Sequence, residues 1–238
     1  MESFLQGKIA VVTGGTRGIG RAIAESLLKA GAAVALCGRS GETVSQTVRD
    51  LSRFGKVAGK PADVGSSEEV SRFFEFVDQS FGGLDVLINN AGVGFFRPLG
   101  GLSEQEWRRT IDTNLTGAFL CSRQALARFR NRNGGSIIQI SSLAGKNAFA
   151  TGAAYNASKF GLTGLSEAMM LDHRYDDVRV SYIMPGSVDT EFGSSIPGAG
   201  WKIAPEDVAE IVLMLLRMPQ RTLISRVEVR PSKPPRKG

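Results

Sequence analysis

The stretch KIAVVTGGTRGIGRAIAESLLKAG, residues 8–31, carries three signals in succession. KIAVV (8–12) is an apolar, β-branched run and reads as a buried strand. TGGTRGIG (13–20) is a glycine-rich turn. AIAESLLKAG then reads as a helix that stops at a glycine. The alternation recurs along the chain. AVALC (33–37), KVAGK (56–60), LDVLINN (84–90), GSIIQISS (135–142), VRVSYIM (178–184) and a run near LISRVEV (223–229) read as further strands. Between them lie SGETVSQTVRDLSRFG, SSEEVSRFFEFVDQSFGG, a single long helix over 103–131, ATGAAYNASKFGLTGLSEAMM and APEDVAEIVLMLL, all patterned as helices. Continuous apolar strands alternating with helices predict a parallel sheet of about seven strands, covered on both faces. The expected fold is a single doubly wound α/β domain over 1–238, with 230–238 a flexible basic tail.

Composition narrows the function. The 238 residues are 42% hydrophobic and 22% charged, which suits one larger α/β domain. The longest apolar runs are too short to span a bilayer, and MESFLQGKIA lacks the form of a secretion signal. Cys37 and Cys121 show no framework or CxxC spacing, so they read as reduced, buried thiols of a cytoplasmic protein. His173 is the only histidine, which argues against a metal site and against a Ser-His-Asp triad. The net charge of +6 owes much to the tail SRVEVRPSKPPRKG, which has no aromatic residue after Val229 for stacking on bases. A solvated terminus is the better reading than a nucleic-acid site. Arg130, Arg132 and Arg174 likewise read as ordinary surface charges rather than a patch for an acidic carrier protein.

On a parallel sheet, ligands bind beyond the carboxyl ends of the strands. Four small-and-polar segments fall there: the turn with Gly14, Gly18 and Gly20 in GxxxGxG spacing, NNAG (89–92), Ser141–Ser142, and MPGSVDT (184–190). The turn is neither GxGxxG nor a P-loop, but its glycines would let backbone amides approach a pyrophosphate at a helix N-terminus. YNASK (155–159) sits on a predicted helix, with Tyr155 and Lys159 one turn apart on the same face. Ser142 precedes Tyr155 by thirteen residues.

S-x12-Y-x3-K, with TGxxxGxG upstream and NNAG between, resembles the classical short-chain dehydrogenase/reductase family, from Lys8 to about Val229. The resemblance implies a Rossmann fold and hydride transfer between a nicotinamide cofactor and a ketone, aldehyde or alcohol. It implies Tyr155 as general acid/base, Lys159 as the cation beside it, Ser142 as the clamp on the substrate oxygen, and Asn114 as holder of a water linking Lys159 to solvent. It assigns Gly14, Thr16, Arg17, Gly18, Ile19 and Gly20 to the pyrophosphate turn, Asp63 and Val64 to the adenine, and Asn90, Ala91 and Gly92 to the adenosine ribose side. Lys159 and Tyr155 would reach the nicotinamide ribose, and Pro185, Gly186, Val188 and Thr190 the carboxamide.

Cofactor choice is legible at the end of the second strand, where CGRS places Gly38 and Arg39 instead of an acid. With Arg17 in the turn, two arginines suit the 2′-phosphate of NADP(H). The chain departs from the family in lacking a Gly-Gly ending, and so looks closer to the branch containing NADP-dependent 3-hydroxy acid and serine dehydrogenases than to the 3-oxoacyl-carrier-protein reductases. A 3-oxoacyl or 3-hydroxy acid type substrate is expected. GSSIPGAGW (193–201) has the glycine, serine and proline content of a mobile lid. A homo-oligomer, tetramer or dimer, is expected by analogy, with Phe119, Leu165 and Met169 as interface candidates. A regulatory, cofactor-sensing relative is the alternative class. Such relatives typically lose the Tyr or Lys, and this chain keeps both. A sugar-nucleotide epimerase would need a longer chain and a different glycine spacing.

Overall fold

In the structure, a computed structural model, residues 3–194 and 198–235 are described. Each apolar run becomes a parallel strand: β1 (Ile9–Thr13), β2 (Ala33–Gly38), β3 (Val57–Pro61), β4 (Val86–Asn89), β5 (Gly135–Ile140), β6 (Val178–Pro185) and β7 (Arg226–Val229). Their order is β3-β2-β1-β4-β5-β6-β7. Every adjacent pair is parallel. The chain winds outward from β1 in one direction and from β4 in the other. The reversal opens a crevice at the carboxyl ends of those two strands, where ligands bind on such sheets.

Helices α1 (Gly18–Lys29), α2 (Gly41–Leu51), α3 (Ser67–Phe81), α4 (Glu104–Ile111), α5 (Gly117–Phe129), α6 (Ala153–His173) and α7 (Pro205–Arg217) cover both faces. The pleat of β1 explains why no polar residue interrupts it. Ala10 and Val12 enter the core shared with Ile23 and Leu27 of α1 and Val208 and Val212 of α7. Val11 points to the other core, with Phe73 and Phe74 of α3 and Phe129 of α5. Cys37 and Cys121 are free and buried, and burial pushes the Cys37 thiol up to about 12. Among the described residues, no helix is long and apolar enough to cross a membrane.

Three expectations change. The helix expected over 103–131 is interrupted by a π turn at Asp112–Thr116, which joins α4 to α5. All five residues there are compatible with an α-helix, so periodicity does not reveal the wider turn. Its compensation is tertiary: Asn114, within it, accepts from Val93 N at 2.8 Å and donates to Val93 O at 2.9 Å. Met169, expected at an oligomer interface, is 7% exposed and packs in the core with Phe73 and Val180, while Leu165 packs against that core and Phe119 is exposed. β5 stops at Ile140, so Ser141 and Ser142 lie beyond the strand, and Ser142 caps a short 3-10 turn by accepting from Ala144 N at 3.1 Å. Residues 195–197 of the expected lid and 236–238 of the expected tail lie outside the described residues.

Candidate active site

The glycine turn leaves β1 at Thr13 and enters α1 at Gly18. Arg17, at the N-cap, makes no side-chain capping bond, and the first turn of α1 holds no acid. By contrast α2, α3 and α4 are capped by Ser40, Ser66 and Ser103, each with an acidic first turn. The first amides of α1 therefore remain open to an external anion, which is what a pyrophosphate requires. Gly20 is dictated by close approach: a Cβ there would collide with the Gly14 carbonyl and with Asn90 Nδ2. Gly18 has φ +51°, and a Cβ there would lie 3.1 Å from Thr190 Cγ2, so Thr190 is seated against the start of α1.

Asn90 fastens the turn to the end of β4. Its Nδ2 donates to Thr13 O at 3.0 Å and to Gly14 O at 3.1 Å. The buried Thr13 hydroxyl accepts from Asn90 N and Ala91 N at 3.0 and 3.1 Å. Thr13 thus organises the crevice floor. Its signal in the sequence, a polar residue ending an apolar strand, is weak. Thr16 O accepts from Thr47 Oγ1, and Ile19 packs against the core. Asp63 Oδ1 accepts from Gly65 N at 2.9 Å, which shapes the loop after β3. Val64 is 5% exposed and abuts Gly117. Gly92 lies beside Asn114 Oδ1. Beyond β6, Pro185 is buried, Gly186 N donates to Val229 O at 2.8 Å, and Val188 bridges to Ile203. Arg39 stands exposed just past β2. Arg17 points instead toward Glu191, at 3.6 Å, with both side chains exposed. A pair that long and open holds Arg17 only weakly.

Tyr155 and Lys159 share one face of α6, with Lys159 Nζ 5.7 Å from the Tyr155 ring centre. Lys159 is 4% exposed and donates to Ile140 O at 2.9 Å, which ties α6 to the end of β5. Burial drives its pKa from 10.5 down to about 8. Burial also raises the Tyr155 phenol, and the Ser142 hydroxyl pulls it part of the way back. In the protein without ligand, then, the phenol moves away from neutral pH rather than toward it. Asn114 is 1% exposed and donates to Ser158 Oγ at 3.0 Å, while Ser158 donates to Tyr155 O at 2.8 Å. Val93, Asn114, Ser158 and the Tyr155 turn of α6 are thus locked together. A cavity of about 10 Å³ lined by Thr13, Val64, Ala91 and Asn114 adjoins this network. Phe96, Phe149 and Phe192 pack around Tyr155 with ring centres 5.5, 6.4 and 5.6 Å away. These phenylalanines and Ser158 stood outside the sequence-based assignment.

The arrangement holds a phenol, a hydroxyl beside it, a buried cation behind it and an uncapped helix start along one sheet edge. The family model described as short chain dehydrogenase matches residues 8–198. The chain belongs to the short-chain dehydrogenase family. Among curated relatives of this family, a 3alpha-hydroxysteroid dehydrogenase of Mediterraneibacter gnavus is 33% identical, over 90% of this chain and 92% of that one. Among solved structures, an alcohol dehydrogenase from the archaeon Thermococcus sibiricus, complexed with 5-hydroxy-NADP, superposes with a TM-score of 0.90 at 31% identity, covering 97% of this chain and 99% of that one. A metagenomic short-chain oxidoreductase in complex with NADP gives a TM-score of 0.85 at 38% identity, with 97% and 99% covered.

The buried Lys159 makes a test independent of turnover. Its folded pKa, about 8, lies below its ordinary 10.5. The unfolded chain therefore binds the proton more tightly. The cost of burying the charge is complete below about pH 8 and disappears as pH rises toward 10.5. Without cofactor, Lys159→Met should be more stable than wild type at pH 7 by about 1–3 kcal/mol. Urea denaturation from pH 7 to 10.5 should show that gap shrinking above pH 8. A gap that does not change with pH, or a less stable variant at pH 7, would contradict the assignment.

Proposed function

We propose that the protein is an NADP(H)-dependent oxidoreductase that interconverts a ketone or aldehyde and an alcohol. The observation that carries this reading is the Tyr155–Lys159 pair on α6, with Ser142 beside the phenol and the Asn114–Ser158 network behind it. When bound, the nicotinamide supplies the hydride, two electrons and a hydrogen nucleus, to the carbonyl carbon. Tyr155 gives its phenolic proton to the carbonyl oxygen, and Ser142 holds that oxygen in reach by hydrogen bonding. Lys159 keeps a positive charge near the phenolate that remains and offsets the effect of burial. In the reverse direction Tyr155 takes the alcohol proton. Asn114 fixes the π turn against Val93 and Ser158 and so holds the Tyr155 turn of α6 in position. Tyr155→Phe should keep fold and cofactor binding but lose at least about a hundredfold in kcat, the scale of a missing general acid. Turnover within a few-fold of wild type would remove Tyr155 from this role.

The residues fit the cofactor. The uncapped amides of α1, with Gly14, Thr16, Gly18, Ile19 and Gly20, would hold the pyrophosphate. Arg39, with Arg17 released from Glu191, would take the 2′-phosphate, and no acid stands at the end of β2 to repel it. The two NADP-type complexes among the related structures support the same choice. NADPH should be favoured over NADH by about ten- to a thousandfold in kcat/KM. Arg39→Asp should cut that preference sharply. Steady-state rates with both cofactors decide it, and equal or better rates with NADH would overturn the assignment of the arginines.

A homo-oligomer fits the same reading. Phe119 on α5 and Phe160 and Leu171 on α6 are 44%, 46% and 57% exposed, which is much apolar surface for two neighbouring helices. Light scattering at micromolar concentration should give at least a dimer, and a monomer would remove this proposal.

A further inference from the structure

Three loops each send one phenylalanine to the same place. Phe96 follows β4, Phe149 precedes α6, and Phe192 follows β6. Phe96 is the hub, with ring centres 5.8 Å from Phe149, 6.2 Å from Phe192 and 5.5 Å from Tyr155. The planes meet at angles between 49° and 75°, so the rings pack edge-on and tilted, as a cluster rather than a stack. Each ring is held against a glycine. A Cβ on Gly94 would lie 2.7 Å from Phe96 Cζ and 3.2 Å from Phe192, and one on Gly152 would lie 2.6 Å from Phe149 Cζ. A Cβ on Gly193 would collide with Phe96. These seats leave the rings little freedom to turn away.

This wall of rings is nonetheless open. Phe96, Phe149 and Phe192 are 39%, 44% and 38% exposed. Single exposed apolar residues are ordinary, but three rings converging on one proton donor form a patch that a ligand must cover. Two cations close to these phenylalanines in sequence already have partners. Arg97, next to Phe96, pairs with Glu106 at 2.9 Å, and Lys146 pairs with Glu228 at 2.7 Å. Among the described residues, the wall itself is made of rings and carries no cation for a carboxylate.

We propose that Phe96, Phe149 and Phe192 select the substrate, and that it is an uncharged ketone or secondary alcohol bearing a bulky cyclic group, aryl or fused alicyclic, rather than a 3-oxo or 3-hydroxy acid. This rests on the reading of Tyr155 as proton donor. The ring system of the substrate lies against the wall, and its carbonyl oxygen meets the phenol at the wall's edge. Discrimination comes from apolar area and shape, with water excluded from the phenol as the wall is covered.

The test is kcat/KM with NADPH for 1-tetralone and trans-1-decalone against 2-butanone and acetoacetate. The cyclic ketones should lead by at least about tenfold. In Phe96→Ala the ratio of 1-tetralone to 2-butanone should fall at least about fivefold, while NADPH affinity, read by fluorescence, stays near wild type. Phe149→Ala, at a more exposed ring, should lower the same ratio and provides the measurement if Phe96→Ala does not fold. Acetoacetate or 2-butanone reduced as well as the cyclic ketones, or a ratio unchanged in the folded variants, would overturn the proposal and leave the oxidoreductase reading standing. Failure of every carbonyl, and of the matching alcohols with NADP+, would overturn both.

Discussion

The site depends on one buried ammonium. Lys159 Nζ lies in the interior with a hydrogen bond to the Ile140 carbonyl and, among the described residues, no carboxylate in ion-pair range. Burying a cation with so little compensation opposes folding, and a hydrophobic residue of similar volume would be easier to accommodate. Such a group is retained where its charge has work to do on a neighbour. Its neighbour is Tyr155, one turn earlier on α6. The Lys159–Ile140 bond also fixes how α6 lies against the end of β5, and so where the phenol stands relative to Ser142.

The rest of the edge supports that placement. The π turn carries Asn114 into contact with Val93 and Ser158, which joins the loop after β4 to the first turns of α6. The loop after β4 in turn carries Asn90, which clamps the glycine turn, and Phe96, which packs on Tyr155. The uncapped amides of α1, the Tyr155 phenol and the phenylalanine cluster are therefore mechanically connected through backbone and buried side chains. The physics of the two halves differs. The side proposed for the cofactor is built from glycines, amides and arginines, which favour charge. The side proposed for the substrate is built from rings, which exclude water. The phenol lies on the boundary, where burial raises its pKa and a positive charge must bring it back.

Much of this was legible in the residues. The strands were visible because a sheet covered on both faces demands unbroken apolar runs such as Val11, Val12 and Val34–Cys37. YNASK was visible because helical spacing alone puts Tyr155 and Lys159 on one face. The π turn was not, because DTNLT carries no signal that separates a π turn from an α-helix, and the bonds that accompany it reach the Val93 backbone, 21 residues away from Asn114. The phenylalanine wall was not, because Phe96, Phe149 and Phe192 are distant in sequence and meet only when three loops fold onto one edge. Met169 was misplaced because an apolar helix residue looks the same whether it faces its own core or a second subunit. Arg17 lies in the glycine turn, but spacing could not show that its side chain would point toward Glu191.

The measurement that bears most directly on this account is the ionisation of the Tyr155 phenol itself. Ultraviolet difference titration of wild type against Tyr155→Phe would isolate it, first without cofactor and then saturated with NADP+. The account predicts a pKa above 10 without cofactor, because burial dominates there, and a clear fall toward neutrality with NADP+, where the oxidised nicotinamide adds its positive charge to that of Lys159. In Lys159→Met the fall should be smaller. A phenol that titrates at the same pH with and without NADP+, and is indifferent to Lys159, would contradict it.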